Sequence, residues 1–532
     1  MPTRFLTTVA TTALLASPAA ADYTLHILHI NDLHSRLEPI NKYDSTCSAE
    51  DEAEGACFGG VARLKTLIDS KRAELDGQNV VTLDAGDQFQ GSLMYTTYKG
   101  AAEAEFMEAI GFDAMAVGNH EFDDGPAALS AFADKVSFPI ISGNLDLTKE
   151  DLLKDKIGNA VVLEVGGEKI GLVSALATDT AETASPGPNV GFEDEIAALT
   201  ADVAALEAEG VNKIIALTHV GLPKDIEIAR AVPGIDLVVG GHSHTYLSAS
   251  DPSRKGAYPT WVSQEDGTLV PVVQAYAYSK YLGHLEATFD DDGKLVYAAG
   301  DTILIDNSVE MDAEIDARVK ELAGPIEEIK QKVVAESADM IDGSRENCRA
   351  MECQMGNLVA DAMLDRVRDQ GVQIAIQNGG GLRASIDSGE VTMGEVLTVL
   401  PFQNTIATFE LSGADVIAAL ENGLSQVEEG AGRFPQVSGL KYSWDKEAEP
   451  GSRVLEVQVM EGDAWAPLDP EKVYGVVSNN YMRSGGDGYR IFADNGMNAY
   501  DFGPGLEIVV ADYLAEKGPY TPYLDGRITE VD

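Results

Sequence analysis

Short apolar runs, rich in Val, Ile and Leu, recur through the first half of the chain and stop abruptly at polar clusters. They are Leu25 to Ile30, Val80 to Leu83, Ala114 to Val117, Ile214 to Leu217 and Leu237 to Val239, all of a length that suits buried strands. Between them Val61 to Leu75, Ala101 to Ile110, Pro126 to Lys135 and Glu193 to Glu209 show helical spacing. The alternation from Asp22 to about Val239 predicts an α/β fold, followed by a more strand-rich stretch from Pro271 to Ile305. Asp312 to Glu336 is charged with helical spacing and is interrupted by Gly324-Pro325, so it reads as a broken helical connector. A second α/β unit then begins, with a helix at Met355 to Arg368, a strand at Gln373 to Gln377, a glycine turn at Asn378 to Gly381 and a helix at Gly413 to Gly423. A chain of 532 residues exceeds one typical core. The expected division is 22–310, a connector at 311–336, and 337–532.

The polar cluster at the end of each apolar run is more telling than the run itself. Asp32-Leu33-His34, Gly86-Asp87, Gly118-Asn119-His120, Thr218-His219 and Gly241-His242-Ser243-His244 each stand at or close beyond a strand end. Five strands are thus expected to deliver oxygen and imidazole ligands to one rim of a sheet, where open α/β sheets place their ligand sites. Of the eight histidines, His34, His120, His219, His242 and His244 fall in these clusters. His26 and His29, inside the first strand, and His284 are expected to be ordinary packed residues.

This donor set suits two divalent cations. Asp87 can bridge them, with Asp32 and His34 on one and Asn119 and His219 on the other, while His242 and His244, two residues apart, reach different ions. Mixed nitrogen and oxygen ligands favour zinc, manganese, cobalt or iron over magnesium and calcium. Such a pair binds phosphate oxygens and activates a water for in-line attack. His120 and Asp123 are spaced for the carboxylate to orient the imidazole, which could stabilise charge on the phosphoryl group or leaving oxygen; Asp123 could instead cap a helix before Gly125-Pro126. No Gly-x-Ser-x-Gly nucleophile motif competes, so direct attack by a metal hydroxide is favoured.

Charge and the ends of the chain narrow the setting. Arg4, an apolar stretch from Phe5 to Ala16 and the small residues Ala19-Ala20-Ala21 predict a signal peptide over residues 1–21, cleaved before Asp22. The formal charge of −49 argues against a nucleic acid polymer as partner and suits a salty medium, where screening acts over roughly 3 to 8 Å. The polar stretch from Asp525 to Asp532 leaves no hydrophobic tail for a membrane anchor. The expected location is periplasmic or secreted. Export permits disulfides; among the three possible pairings of four cysteines, the local one, Cys47 with Cys57 and Cys348 with Cys353, is expected.

The five clusters, in this order, resemble the metallophosphoesterases, and the second half narrows the resemblance to the 5'-nucleotidase family over nearly the whole mature chain. The marks are Cys348-Arg349 to Cys353-Gln354-Met355-Gly356-Asn357, Asn378-Gly379-Gly380-Gly381-Leu382-Arg383, Leu400-Pro401-Phe402, and Asn480-Tyr481-Met482-Arg483-Ser484-Gly485-Gly486-Asp487-Gly488. The resemblance implies an N-terminal calcineurin-like β-sandwich flanked by helices and a C-terminal α/β nucleotide-binding domain that rotates to carry nucleotide to the metals. It also implies that Arg349, Arg383 and Arg345 bind phosphate or ribose groups, that Asn378 and Asp487 hold the ribose hydroxyls, that Phe402 and Tyr481 sandwich the base and that Asn404 contacts its edge. Aromatic faces grip any base, typically with about 1 to 3 kcal/mol per stack, and arginine forks match phosphate oxygens. Tyr481 stands where the family often has Phe, and Gln403 where it commonly has Gly.

The expected activity is hydrolysis of nucleoside 5'-monophosphates, AMP first. Rivals on the same metals are a 2',3'-cyclic-nucleotide phosphodiesterase with 3'-nucleotidase activity and a UDP-sugar diphosphatase; a rival of another class is a nucleotide-binding scavenger without chemistry. Oligomeric state is not legible.

Overall fold

A computed structural model describes residues 22–531 except 43, 45, 403, 463 and 501–503. The expected signal peptide and Gln403 lie outside the described residues. The sequence-predicted strands form, but they do not share one sheet. Tyr23–Ile30, Asn79–Asp84 and Ala114–Ala116 are neighbouring parallel strands of a seven-stranded sheet, whereas Ile214–Thr218 and Leu237–Gly240 are parallel neighbours in a six-stranded one. The antiparallel strands Tyr281–Phe289 and Leu295–Leu304 complete one edge of the first sheet.

The two sheets pack face to face through a dry apolar layer. Leu25, Ile27 and Leu83 from one meet Leu172, Ile215, Leu217 and Val239 from the other. Residues two apart on a strand share a face, so Leu28 and Ile30 point the opposite way, into a helical layer with Leu64, Ile68, Phe106 and Met107. A second helical layer covers the other sheet through Leu199, Val203 and Ile228. Helix, sheet, sheet and helix follow one another, and all five ligand-bearing strand ends open on the junction of the two sheets rather than the rim of one.

The helix at Ala313–Lys330 runs unbroken through Pro325. Proline in a helix interior forfeits a backbone hydrogen bond and costs about 3 kcal/mol. Ile315, Val319, Leu322, Ala323 and Ile326 form a continuous apolar stripe on both sides of it and are buried in the first unit's helical layer. Burying such side chains, each worth roughly 1.5 to 3 kcal/mol for the larger ones, holds the helix together across the break. The expected connector is therefore docked on the first unit, and Val333–Ser337, read as helical, is a strand paired with Gly389–Thr392.

In the second unit the helix Gln354–Val367 backs a five-stranded sheet in which Ile374–Asn378 lies between Pro435–Ser438 and Val473–Asn479. The architecture is thus a four-layered α/β sandwich followed by a second α/β unit. Both expected disulfides form, Cys47 with Cys57 and Cys348 with Cys353. Among the described residues no helix is long and apolar enough to cross a membrane.

Candidate active site

The strand ends turn sharply into the junction because five of the seven expected ligands adopt left-handed backbone: Asp32 (φ 53°), His34 (49°), Asp87 (62°), His242 (74°) and His244 (51°). Each such residue costs of order 1 to 3 kcal/mol and persists only where its surroundings fix it. Here two strand-end loops are laced together, with Asp32 N donating to Gly86 O at 2.9 Å, His34 N to Asp87 O at 2.9 Å and Ser35 N to Gln88 O at 2.8 Å. Gly118 permits the close approach, since a Cβ there would lie 2.2 Å from Asp87 Oδ1.

The donors gather in two overlapping groups. In the first, His244 Nε2 lies 3.1 Å from Asp32 Oδ1 and 3.0 Å from His34 Nε2. In the second, His219 Nε2 lies 3.0 Å from Asp87 Oδ2 and groups with His242, whose Nδ1 is 2.9 Å from Asn119 Oδ1. Asp87 Oδ2, 3.7 Å from His34 Nε2, stands between the two.

Burial keeps His34, His242 and His244 well below the usual imidazole range, hence neutral and ready to coordinate. Burial alone would do the same to His219, but Asp87 and Asp32 outweigh it and push it up to about 10. The carboxylates therefore favour positive charge beside His219 Nε2, a buried atom 3.0 Å from Asp87 Oδ2 that among the described residues makes no well-directed hydrogen bond. Burial raises Asp32 to about 6. Burial would raise Asp87 too, but His219 and His120 overcome it and draw that group well below the carboxylate range. Neutral imidazoles, a bridging carboxylate and an orphaned buried nitrogen make a donor set that fits two divalent cations.

His120 stands at the edge of this set. Its Nδ1 is 2.6 Å from Asp123 Oδ2, and its backbone N–H donates to Asp87 Oδ1 at 2.9 Å. Asp123 thus orients the imidazole, and the helix-cap alternative falls, since Asp124 occupies the cap position of the helix Gly125–Ala133. Burial opposes protonation of His120, but Asp123 and Asp87 raise it above its ordinary value.

The C-terminal residues named from the motifs line the same cavity, of about 670 Å³, together with His34, Asp87, Asn119, His120, Asp123, His242 and His244. Asp32 and His219, fully buried, lie beneath its floor. Arg345 Nη2 donates to His242 O at 3.2 Å, Arg383 Nη2 is 3.5 Å from His34 Nε2, and Arg349 Nη1 donates to Gly430 O at 3.3 Å. Burial and mutual repulsion with the neighbouring arginines lower Arg345 and Arg349, marking a wall that an anion would relieve. Asn378 Nδ2 donates to Asp487 Oδ2 at 2.6 Å, and Tyr481 OH to Asp487 Oδ1 at 3.2 Å. Phe402 stacks on His120, with ring centroids 5.7 Å apart and 18° between planes, beneath the Arg383 guanidinium. Phe402, Tyr481 and Asn404 are half-buried at the cavity, and Tyr481 also packs against the apolar core of the second unit.

The three histidines expected to lie elsewhere do so: His29 Nε2 is 2.8 Å from Tyr258 OH, and His26 pairs with His284. Several supporting residues escaped the sequence reading. Glu121 accepts N–H groups from Asp87, Gln88, Phe89 and Gly118 at 2.7 to 3.1 Å, clamping the Asp87 loop. Asn31 Nδ2 donates to Asp32 Oδ2 at 2.7 Å while its Oδ1 accepts from Ala275 N. Both adjoin ligand motifs, which was the available signal; Arg36 and Tyr278, packed behind His34, carried none.

Comparison with known proteins agrees with this geometry. Residues 25–246 match the calcineurin-like phosphoesterase family and residues 333–494 the 5'-nucleotidase C-terminal domain. The 5'-nucleotidase of Mus musculus is 39% identical, covering 98% of this chain and 93% of that protein. A snake venom 5'-nucleotidase of Naja atra is 37% identical over 95% of this chain and 98% of its own. The crystal structure of a 5'-nucleotidase precursor from Thermus thermophilus superposes with a TM-score of 0.91 at 40% identity, covering 96% of this chain and 100% of that one.

Proposed function

This chain belongs to the 5'-nucleotidase family, and from that premise we propose that it hydrolyses nucleoside 5'-monophosphates, AMP first, to nucleoside and phosphate outside the cytoplasm. It is a metal-dependent phosphoester hydrolase; the substrate, the ligand assignments and the residue roles are our reading. The observation that carries it is a single cavity lined at once by metal donors, by Arg345, Arg349 and Arg383, and by the rings of Phe402 and Tyr481.

Asp32, His34 and His244 would hold one cation and Asn119, His219 and His242 the other, with Asp87 shared. Once bound, the two ions polarise phosphate oxygens and lower the pKa of a water. Arg345, Arg349 and Arg383 draw the phosphate in and orient it. Phe402 and Tyr481 grip the base, while Asn378 and Asp487, hydrogen-bonded to each other, receive the ribose hydroxyls. The P–O5' bond breaks as the water oxygen joins phosphorus, and the leaving O5' takes a proton. His120, whose hold on its proton Asp123 strengthens, would supply positive charge on the phosphoryl side and a proton for that oxygen.

Arg345, Arg383 and Phe402 come from the second unit and touch His242, His34 and His120 of the first. Entry and release then require the second unit to turn away. The test is phosphate release from AMP, a 2',3'-cyclic nucleotide, ADP and a UDP-sugar, on chelator-stripped protein resupplied with Zn²⁺, Mn²⁺ or Co²⁺. AMP should be turned over fastest; preference for another substrate refutes this specificity, and binding without release at any metal would leave only a scavenger.

A further inference from the structure

One aromatic residue that carries no ligand atom touches three of the four residues assigned to a single cation sphere, His34 and His244 through its ring and Asp32 through its backbone. Tyr278 is 7% exposed and follows the strand Leu269–Val273. Its ring lies 5.7 Å from the His34 ring and 5.2 Å from the His244 ring, the latter edge-on at 88°. Its backbone N–H donates to the Asp32 carbonyl at 2.8 Å. His34 Nδ1 also lies 3.2 Å from Phe89 O, so the ring of Tyr278 adds to one hydrogen bond there; in the other sphere His219 Nδ1 is 2.7 Å from Ala85 O and His242 Nδ1 2.9 Å from Asn119 Oδ1.

Tyr278 is itself braced from behind. The guanidinium of Arg36 lies 5.3 Å from the ring centroid, and among the described residues none of its nitrogens makes a hydrogen bond, so the electron-rich ring face is a polar contact for it. Tyr276 meets the ring edge-on at 6.1 Å. Ile40, in the same apolar cluster as Tyr278, exchanges two backbone hydrogen bonds of 2.8 Å with Phe58. Phe58 directly follows Cys57, so the disulfide to Cys47 closes the loop that backs the ring. A left-handed φ of 61° at Tyr278 is held by this surround.

We propose that Tyr278 is a positioning residue that sets one of the two cation spheres, that of Asp32, His34 and His244, by fixing the planes of the two imidazoles, and leaves the other sphere untouched. The inference rests on the two-cation reading above. Residues that orient metal ligands typically change metal affinity by about 10- to 100-fold when altered, and here the change falls on one ion alone.

The experiment is Mn²⁺ titration by calorimetry with electron paramagnetic resonance, on wild type, Tyr278→Phe and Tyr278→Ala. Near-ultraviolet circular dichroism and thermal melting in chelator monitor the fold of each. Wild type and Tyr278→Phe should bind two ions and give an exchange-coupled pair signal. In Tyr278→Ala one binding step should weaken by about 10- to 100-fold, and at one equivalent the signal should be that of a lone Mn²⁺, the other step unchanged. Should Tyr278→Ala fail to fold, Tyr278→Leu, which keeps volume but no planar ring, carries the same expectation. Two unaltered steps in the folded ring-less variant overturn the inference, as do both steps weakening together or Tyr278→Phe losing an ion. A wild-type chain that binds fewer than two ions overturns the two-cation reading and this inference with it.

Discussion

His120 lies between two demands: burial would strip its proton, and the carboxylates of Asp123 and Asp87 hold it on. Removing Asp123 removes the larger of the two attractions. In Asp123→Asn the imidazole should lose its proton at lower pH, so the alkaline limb of kcat/KM moves down; a profile identical to wild type would show that protonated His120 is not required. His120→Ala should lower kcat by about 10²- to 10⁴-fold with two ions still bound per chain, as measured by elemental analysis. Arg383, against Phe402 and His34, contacts substrate in our reading rather than a cation. Arg383→Ala should therefore raise KM for AMP by about tenfold or more, since a charged hydrogen bond is worth roughly 1.5 to 3 kcal/mol; a defect seen only with a small artificial phosphoester contradicts that role. His120 and Asp123 were legible because their motif sits at a strand end, and Arg383 through the family resemblance of its glycine motif. Tyr278 was not, because ring packing across more than two hundred residues of sequence leaves no local pattern.

Among the elements, the strand Tyr23–Ile30 does two jobs, delivering Asp32 and His34 and packing the inter-sheet layer. Tyr258 of that layer is hydrogen-bonded to His29, whose imidazole is driven down to about 3 by burial and by His284. Its folded pKa lies below the unfolded value near 6.5, so the unfolded chain takes the proton first. The neutral, packed imidazole opposes no folding above pH 6.5, and stability is lost as the pH falls from there toward 3, by an amount of order several kcal/mol over the whole span. The urea midpoint should fall between pH 7 and pH 5, and fall less in a His29→Gln variant; equal slopes would assign the acid sensitivity elsewhere. Other elements were misread for a related reason. The interruption at Gly324-Pro325 is a true local signal, overridden by the apolar stripe that docks the helix Ala313–Lys330. Val333–Ser337 is a strand because Gly389–Thr392 lies beside it, and no periodicity within five residues encodes a distant partner.

For the whole molecule, the proposed function places the chemistry at the seam between units. Lys255 Nζ of the first and Glu346 Oε2 of the second are 3.0 Å apart on the surface, so cysteines at both positions joined by a short bis-maleimide should pin the units together. Turnover should stop while a single bound nucleotide analogue is retained, and reverting either cysteine should restore it; full activity in the joined protein would rule out the proposed rotation. The net charge of −49 gives the cavity its contrast, since in the proposed function an anionic nucleotide would be drawn past a repelling surface by Arg345, Arg349 and Arg383. The sequence by itself determined which residue types gather at the ends of short buried strands, because ligand types and apolar periodicity are local properties of the chain; the forks and rings were legible only through the family resemblance of their motifs. Only the tertiary structure decided that three strands of one sheet and two of another share the ligands, that the proline-containing helix belongs to the first unit, and that Glu121, Asn31 and Tyr278 hold the site in place. Each of these depends on which surfaces are buried against one another, and burial is a property of the packed molecule that no stretch of sequence contains alone.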